Sequence, residues 1–243
     1  MNAPRNPVED ADVHSASDEY RTRFAGQAGA WLLKRQTEIA LDLLSDRIGE
    51  SVLDVGGGHG QIALPLAEAQ FRVTVLGSCD GALSQVLPLK MDGRCTVTTG
   101  DLLALPFPDR SFTVVTCFRI LPHAYDVTRL VSELCRVSAD LVLVDYPTDQ
   151  SINALTPLLF STKKRIEGNT RPYTLFKHAE IDQLFSESNF KLAARVPQFF
   201  LPMVIHRLLQ SPLISEALEA PFRWLGITAK FGSPVIALYQ RQE

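Results

Sequence analysis

Short apolar runs alternate with segments of helical period over residues 27–146. Runs of apolar and β-branched residues predict five buried strands, at 51–55, 71–76, 95–99, 111–118 and 140–146. Apolar positions three and four residues apart predict amphipathic helices at 27–48, 61–69, 80–89 and around 127–135. This alternation is typical of a doubly wound α/β sheet with mostly parallel strands and helices on both faces. Such a sheet binds its ligand at the carboxyl ends of the strands.

The pattern changes after Pro147. A helix is predicted at 178–188, and two further strands at 191–196 and 234–239. Between these strands lies a long insertion, 198–232, rich in Phe, Leu, Pro and Trp, which is more typical of a lid or pocket wall than of a plain loop. We therefore predict a disordered N-terminal lead at 1–17 and a single domain at 18–243, with a helical lid and acceptor region at about 147–232.

The composition is that of an ordinary globular protein. The 243 residues are 46% hydrophobic, and 24 basic against 27 acidic side chains give a net charge of -3. A chain so close to neutral has no overall field to hold a nucleic acid, and none is expected as partner. No run approaches the ~20 apolar residues of a membrane span, and residues 1–17 lack the apolar core of a signal peptide, so a cytoplasmic location is expected. The four cysteines lack the spacing of zinc ligands, and no metal is predicted.

The sharpest feature is a glycine loop at 52–61, which reads VLDVGGGHGQ and lies at a predicted strand-to-helix turn. Glycines at such a turn let the backbone approach a ligand closely and expose helix N–H groups. Gly58, Gly60 and Ala63 have the spacing of a dinucleotide fingerprint, so the loop alone fits two cofactor classes. Asp54 argues against a dinucleotide, because a carboxylate there repels a pyrophosphate. It favours instead a ligand with an ammonium or sulfonium charge.

The loop resembles the first motif of the class I S-adenosylmethionine-dependent methyltransferases, an acidic residue followed by G-x-G-x-G. The matching residues are Asp54, Gly56, Gly58 and Gly60. Further matches follow in the family's order: Asp101 with Leu102 after the third strand, 105–112 before the fourth strand, then Phe118, Arg119 and 121–123. Over about residues 18–240 the chain is similar to the small-molecule branch of this family, which includes ubiquinone and menaquinone methyltransferases.

The resemblance implies a Rossmann-like fold closed by an antiparallel C-terminal hairpin, with S-adenosyl-L-methionine as cofactor. It also implies that the glycine loop approaches the methionine part of the cofactor. Asp101 would meet the adenine amino group, and Leu102 would offer its backbone. One position departs from the family, which has an acid for the ribose hydroxyls at the end of the second strand, where this chain has Gly77. Ser78 or Asp80 would have to substitute, although Asp80 is also well placed as the N-cap of the next helix.

His123 is the candidate catalytic residue. The donor of a methyl transfer is already activated, so the protein mainly supplies alignment, and a base only if the acceptor must lose a proton. His123 follows the fourth strand, where acceptor and methyl group would meet; capping of the next helix or packing in the loop is the alternative. Arg119 lies beside the same rim and could hold a carboxylate of cofactor or acceptor, or pair with a nearby acid.

Three residues are candidates for contact with the acceptor: Arg171, Tyr173 and Phe199. Arg171 ends a basic cluster at 163–171, which would suit an anionic acceptor or be a solvated loop. The apolar residues 199–205 could also contact a membrane surface, as a lipid or quinone substrate would require.

The segment before the first long helix offers a possible cover for the cofactor. It contains Tyr20, Arg21, Arg23 and Phe24, and it resembles the cover that some family members fold over the cofactor. An aromatic face near a sulfonium would be attractive. The alternative is a hydrophobic staple for the helix.

Together these features predict a methyltransferase that acts on a small or lipophilic molecule at oxygen or carbon. Methylation of base amino groups is disfavoured because residues 117–120 read CFRI rather than Asn/Asp-Pro-Pro-aromatic. A nicotinamide-dependent oxidoreductase is the second class, and it needs an acid where this chain has Gly77. A non-catalytic methyltransferase-like scaffold is the third. The oligomeric state and the identity of the acceptor are not predicted.

Overall fold

The computed structural model describes residues 9–17, 22, 24–87, 95–151 and 173–243. Its sheet has the order β3-β2-β1-β4-β5-β7-β6. The strands are β1 Ser51–Val55, β2 Arg72–Gly77, β3 Thr96–Thr99, β4 Phe112–Cys117, β5 Ser138–Tyr146, β6 Phe190–Pro197 and β7 Val235–Arg241. Strands β1 to β5 pair in parallel, whereas β7 is antiparallel to both β5 and β6. The predicted Rossmann-like fold, mostly parallel with a C-terminal antiparallel strand, is confirmed.

Helices cover both faces of the sheet. They are α1 Ala11–Ser15, α2 Gly26–Leu43, α3 Ala63–Glu68, α4 Val127–Val137, α5 His178–Glu187, α6 Met203–Leu209, α7 Pro212–Trp224 and α8 Ile227–Phe231. Successive strand residues point to opposite faces, so Leu53 and Val55 join one buried cluster and Val52 joins the other. The strand order reverses between β1 and β4, which opens a crevice at their carboxyl ends. None of the helices in the described ranges is long and apolar enough to span a membrane.

Two predicted helices differ in the structure. The first long helix ends at Leu43 and continues as a 3-10 turn, Ser45–Arg47, instead of running to residue 48. Residues 80–86 form turns rather than the start of a helix at 80–89, and the Asp80 carbonyl accepts a hydrogen bond from the N–H of Leu83 at 3.1 Å. Residues 88–94 lie outside the described ranges. The turns bring the backbone of this segment directly against the glycine loop, as described below.

The insertion at 198–232 is built around a buried acid. The Glu219 carboxylate on α7 accepts hydrogen bonds from the backbone N–H groups of Phe200 and Leu201, at 3.0 and 2.9 Å. Its Oε1 also lies 3.0 Å from Nε2 of His206 on α6, and both side chains are fully buried. These bonds tie the start of the insertion to two of its three helices.

An aromatic contact attaches the same insertion to α2. The Trp31 ring lies 5.1 Å, centroid to centroid, from both Phe199 and His206. At the other end of α7, Trp224 is 86% exposed. Phe199 is therefore an interior residue of the insertion, whereas Trp224 faces solvent.

Part of the predicted disordered lead is folded. Helix α1 lies on the carboxyl edge of the sheet, with Glu9, Ala11 and Asp12 buried. The acids are tolerated there because they accept backbone hydrogen bonds. Oε1 of Glu9 accepts from the N–H of Ala11, and Oδ1 of Asp12 from the N–H of Val13, both at 3.0 Å. Residues 9–17 of the lead predicted to be disordered are thus folded in the structure.

Candidate cofactor cleft

The glycine loop makes a tight turn directly after β1. Gly56 and Gly60 have positive φ angles of 73° and 67°, which side-chain-bearing residues rarely adopt. Gly58 is required for a different reason, since a Cβ atom there would lie 1.7 Å from the carbonyl oxygen of Ala82. The N–H of Gly56 donates to the Leu76 carbonyl at 2.7 Å. The loop is therefore held between the ends of β1 and β2.

Asp54 is a buried acid at the base of this loop. It is 1% exposed, and its Oδ1 accepts a hydrogen bond from the hydroxyl of Thr116 on β4 at 2.8 Å. Its Oδ2 is buried without a hydrogen bond from the described residues. Burial raises the pKa of this carboxyl to about 7, although Thr116 and the charge of Arg119 both oppose the rise. The charge of Arg119 thus does not offset the effect of burial on the pKa of Asp54.

A second buried acid, Asp145, fixes the loop that follows β4. Its Oδ1 accepts the backbone N–H of Arg119 at 2.5 Å, and its Oδ2 accepts from the Gln36 amide on α2 at 2.8 Å. The Gln36 amide oxygen accepts in turn from Gln61 of the glycine loop at 2.5 Å. Burial raises the pKa of Asp145 to about 6. Sequence analysis missed this network, whose available signal was an acid inside the apolar run of β5.

Arg119 lies between the two acids. Its φ of 63° is in the left-handed region, and the hydrogen bond from its N–H to Asp145 holds it there. Its charge lowers the pKa of both Asp54 and Asp145. The guanidinium carbon lies 5.2 Å from the centre of the Phe24 ring, a cation–π contact. The structure thus brings Phe24 to the rim of the cleft, while Tyr20, Arg21 and Arg23 lie outside the described residues.

The open part of the cleft is small. It is lined by Asp54, Gly56, Gly57, His59, Gln61, Ile62, Phe118 and Arg119. These residues belong to the glycine loop and to the loop after β4. This space is far smaller than the pockets that hold ligands of drug size, so it suits only part of a nucleoside-containing cofactor.

The residues predicted to bind the nucleoside part stand on the β2 and β3 side of the edge. Gly77 is the last residue of β2, and the backbone N–H of Ser78 donates to Oδ2 of Asp12 at 2.6 Å. Asp101 is exposed, and its side chain accepts from the N–H of Leu103 at 2.9 Å. Leu102 is fully buried. The roles of Ser78, Asp80, Asp101 and Leu102 toward a cofactor stay predictions.

The acceptor candidates lie farther along the same edge. His123 ends a 3-10 helix, Leu121–His123, directly after β4 and is 4% exposed. Its ring lies 5.5 Å from the ring of Tyr173, which is 61% exposed. Phe199 is 1% exposed against Trp31, so its ring is reachable only if the insertion opens. Arg171 and the basic cluster 163–171 lie outside the described residues.

The cleft fits one half of S-adenosylmethionine. Oδ2 of Asp54 accepts no hydrogen bond from the part of the chain that the structure describes, and it suits the ammonium group of the methionine half. The glycine turn at the crevice suits the amino-acid chain of that half. The nucleoside half meets an obstacle, because helix α1 occupies the edge beside Gly77 and Ser78.

Comparisons with known proteins agree with this geometry. Residues 53–140 match the family model described as a methyltransferase domain. A demethylmenaquinone methyltransferase of Deinococcus radiodurans is 34% identical over 109 residues, which are 41% of this chain and 44% of that protein. A 27-O-demethylrifamycin SV methyltransferase of Amycolatopsis mediterranei is 30% identical over 109 residues, 42% of this chain and 40% of that protein. The chain thus spans less than half the length of these relatives.

A solved structure extends the likeness to nearly the whole fold. Magnesium protoporphyrin IX methyltransferase from Synechocystis PCC 6803 superposes with a TM-score of 0.67 at 15% identity, over 94% of this chain and 97% of that one. At this identity the superposition shows the fold alone. The matched domain contains the glycine loop, Asp54 and the loop after β4, the same residues that form the cleft. Together these matches support the class I S-adenosylmethionine-dependent methyltransferase family, with S-adenosyl-L-methionine as cofactor.

Proposed function

We propose that this protein transfers a methyl group from S-adenosylmethionine to a small or lipophilic acceptor, at oxygen or carbon. The observation that carries the proposal is Asp54, a buried carboxyl beneath the glycine loop with a pKa of about 7 and one oxygen that has no hydrogen-bond partner among the described residues. A cationic ligand would ionise this acid and use that oxygen. A pyrophosphate would be repelled by it, which argues against a nicotinamide cofactor.

The protein's contribution would be alignment. S-adenosylmethionine supplies an activated methyl group, which a nucleophilic atom of the acceptor takes as the sulfonium carbon–sulfur bond breaks. Asp54 would hold the ammonium group, and the positive-φ turn at Gly56 and Gly60 would let the backbone follow the methionine chain. The Asp145 network fixes the Arg119 backbone, so the Arg119 side chain is presented at the cleft rim. Arg119 would hold a carboxylate of the cofactor or of the acceptor.

His123 would act as the base for acceptors that must lose a proton. It follows β4 at the carboxyl edge, and its ring lies beside the ring of Tyr173. We propose that region 147–232, with Tyr173, Arg171 and Phe199, forms the acceptor side. The names of the relatives, a demethylmenaquinone methyltransferase and a 27-O-demethylrifamycin SV methyltransferase, support a small or lipophilic acceptor. Contact with a membrane surface and a cytoplasmic location stay predictions.

A non-catalytic scaffold is the second candidate. It is favoured by the small open volume of the cleft and by the absence of an acid at Gly77. Binding measurements distinguish a scaffold from an enzyme whose cleft is closed in this structure. The enzyme would bind S-adenosylhomocysteine, whereas a scaffold that has lost the cofactor site would not.

Calorimetric titration with S-adenosylhomocysteine and NADH tests the assignment. We expect S-adenosylhomocysteine to bind and NADH not to bind. Asp54→Ala should weaken the binding at least about tenfold, since it removes a charge-assisted contact. Asp46→Ala, which removes an exposed acid of the 3-10 turn, is the matched control and should bind as the unmodified chain does. Equal affinity in a folded Asp54→Ala variant, or binding of NADH alone, would contradict the proposal.

A further inference from the structure

Helix α1 packs beside Gly77 at the end of β2, where the resemblance to the methyltransferase family puts the ribose contact. A Cβ atom added at Gly56 would be 3.5 Å from Cβ of Asp12, and one added at Gly77 would be 3.3 Å from Oδ2 of the same residue. Asp12 therefore fills the space between the glycine loop and the end of β2. Ala11, fully buried, joins the main apolar cluster of the protein. The small open cleft is lined instead by the glycine loop and the loop after β4.

Two buried acids anchor this segment to the edge of the sheet. Oδ2 of Asp12 accepts the N–H of Ser78 after β2 at 2.6 Å, and Oε2 of Glu9 accepts the N–H of Tyr125 at 2.7 Å. Tyr125 follows the 3-10 helix that carries His123, so the segment bridges both sides of the crevice. Carboxylate-to-amide bonds of this kind are stronger than neutral ones. The segment is thus fastened at two points across the cleft opening.

We propose that residues 9–17 form an internal competitor for the nucleoside half of the cofactor cleft, with Asp12 beside Gly77 in place of the ribose. The inference rests on the proposed function. Cofactor and segment exclude each other, so the cofactor binds only the fraction of molecules from which the segment has left. The apparent affinity is reduced by that fraction. A modification of the N-terminal segment, or a partner that holds this segment away from the cleft, would therefore raise the cofactor affinity without contacting the cleft itself.

The test compares the calorimetric affinity of the full chain and two variants for S-adenosylhomocysteine. Asp12→Ala removes the bond to Ser78, so it should open the cleft and tighten binding about threefold to thirtyfold. Asp10→Ala removes an exposed acid beside it and should leave the affinity unchanged. 5′-Methylthioadenosine, which lacks the amino-acid half, should gain the same factor from Asp12→Ala. Weaker or equal binding of S-adenosylhomocysteine by Asp12→Ala, or a gain that 5′-methylthioadenosine does not share, would overturn the inference.

Hydrogen exchange of the unmodified chain gives an independent readout. The amides of Val13 and Ala16 are bonded within the segment, to the carbonyls of Asp10 and Asp12. They should exchange faster once S-adenosylhomocysteine is added. Slower or unchanged exchange would show a segment that stays in place and would overturn the proposal. If no variant binds S-adenosylhomocysteine, the proposed function and this inference both fall; if the unmodified chain binds it and Asp12→Ala binds no tighter, only this inference falls.

Discussion

Asp54 and His123 are both buried polar side chains at the carboxyl edge of the sheet, but different elements hold them. Asp54 is part of β1 and bonded to Thr116 on the neighbouring strand, so its position is set by the sheet. His123 is on a single 3-10 turn whose backbone bond, from its own N–H to the Ile120 carbonyl, is 2.9 Å long. The position of the first residue is therefore set by the sheet, and that of the second by a single turn of the loop after β4.

Replacement of His123 tests its role as base. His123→Ala should lower turnover about 10²- to 10⁴-fold, because proton removal from the acceptor would lose its general base. Its affinity for S-adenosylhomocysteine should stay within about twofold. The measurement is transfer of a labelled methyl group to an acceptor found by screening phenols, quinones and lipids. His178→Ala, at the start of α5, serves as control. Normal turnover by a folded His123→Ala enzyme would remove His123 from the mechanism.

At the scale of elements, the packing of two loops on one another decides the shape of the cleft. Gly58→Ala would place a methyl group 1.7 Å from the Ala82 carbonyl oxygen, a backbone atom that cannot swing away. We expect this substitution to lower the free energy of unfolding by about 1–3 kcal/mol. In Gly81→Ala, a substitution in the same turn, the added methyl group would lie 3.7 Å from the Cys79 sulfur, an ordinary contact distance. This variant should change the free energy of unfolding by less than about 0.5 kcal/mol.

Urea denaturation of the two glycine variants measures both changes in the free energy of unfolding. Cofactor affinity should fall for Gly58→Ala alone, since the displaced turn carries the glycine loop with it. Equal stability of the two variants would show that the loop and the turn are not packed as described.

The elements that sequence could predict are those with a local cause. Each of the five parallel strands lies within two residues of its predicted bounds, because an apolar run bounded by turns is a local signal. The glycine loop and Asp54 were likewise found from the strand-to-helix turn. The turns at 80–86 could not be predicted, because their conformation depends on packing against Gly58. Helix α1 could not be predicted either, because distant partners hold Ala11 and Asp12. Tertiary contacts decided these segments against local propensity.

At the scale of the whole molecule, buried acids tie stability to pH. The carboxyls of Asp54 and Asp145 have pKa values of about 7 and 6, against an ordinary value of 3.8. The folded protein therefore retains protons between pH 4 and 7 that the unfolded chain has released. Because the folded state binds more protons, the free energy of unfolding should fall as pH rises through this window and level off above about pH 7.

Asp54→Asn isolates the share of one acid in this pH dependence. An amide at position 54 has no charge to desolvate, so the variant should be more stable than the unmodified chain at pH 8, on the order of 1–3 kcal/mol, and should lose that advantage toward pH 4.5. The limiting difference in slope is about 1.4 kcal/mol per pH unit. Urea denaturation from pH 4.5 to 8.5 measures it, with Asp46→Asn as the exposed control. Parallel curves for Asp54→Asn and the unmodified chain would contradict a raised pKa at Asp54.

The same acid should link ligand binding to pH in the opposite sense. A cationic ligand pairs with the ionised form of Asp54, so the affinity for S-adenosylhomocysteine should rise with pH up to about 7 and then level off. In Asp54→Asn the affinity should be weak and independent of pH over this range. Calorimetry at pH 5.5, 6.5, 7.5 and 8.5 measures both curves, and a matching pH profile in the two proteins would show that Asp54 does not face the cation. In that case the buried charge of Asp54 would destabilise the fold without contributing to binding. A rise of affinity with pH in the unmodified chain alone would show that this acid, placed at the centre of the sheet, serves to bind the cation.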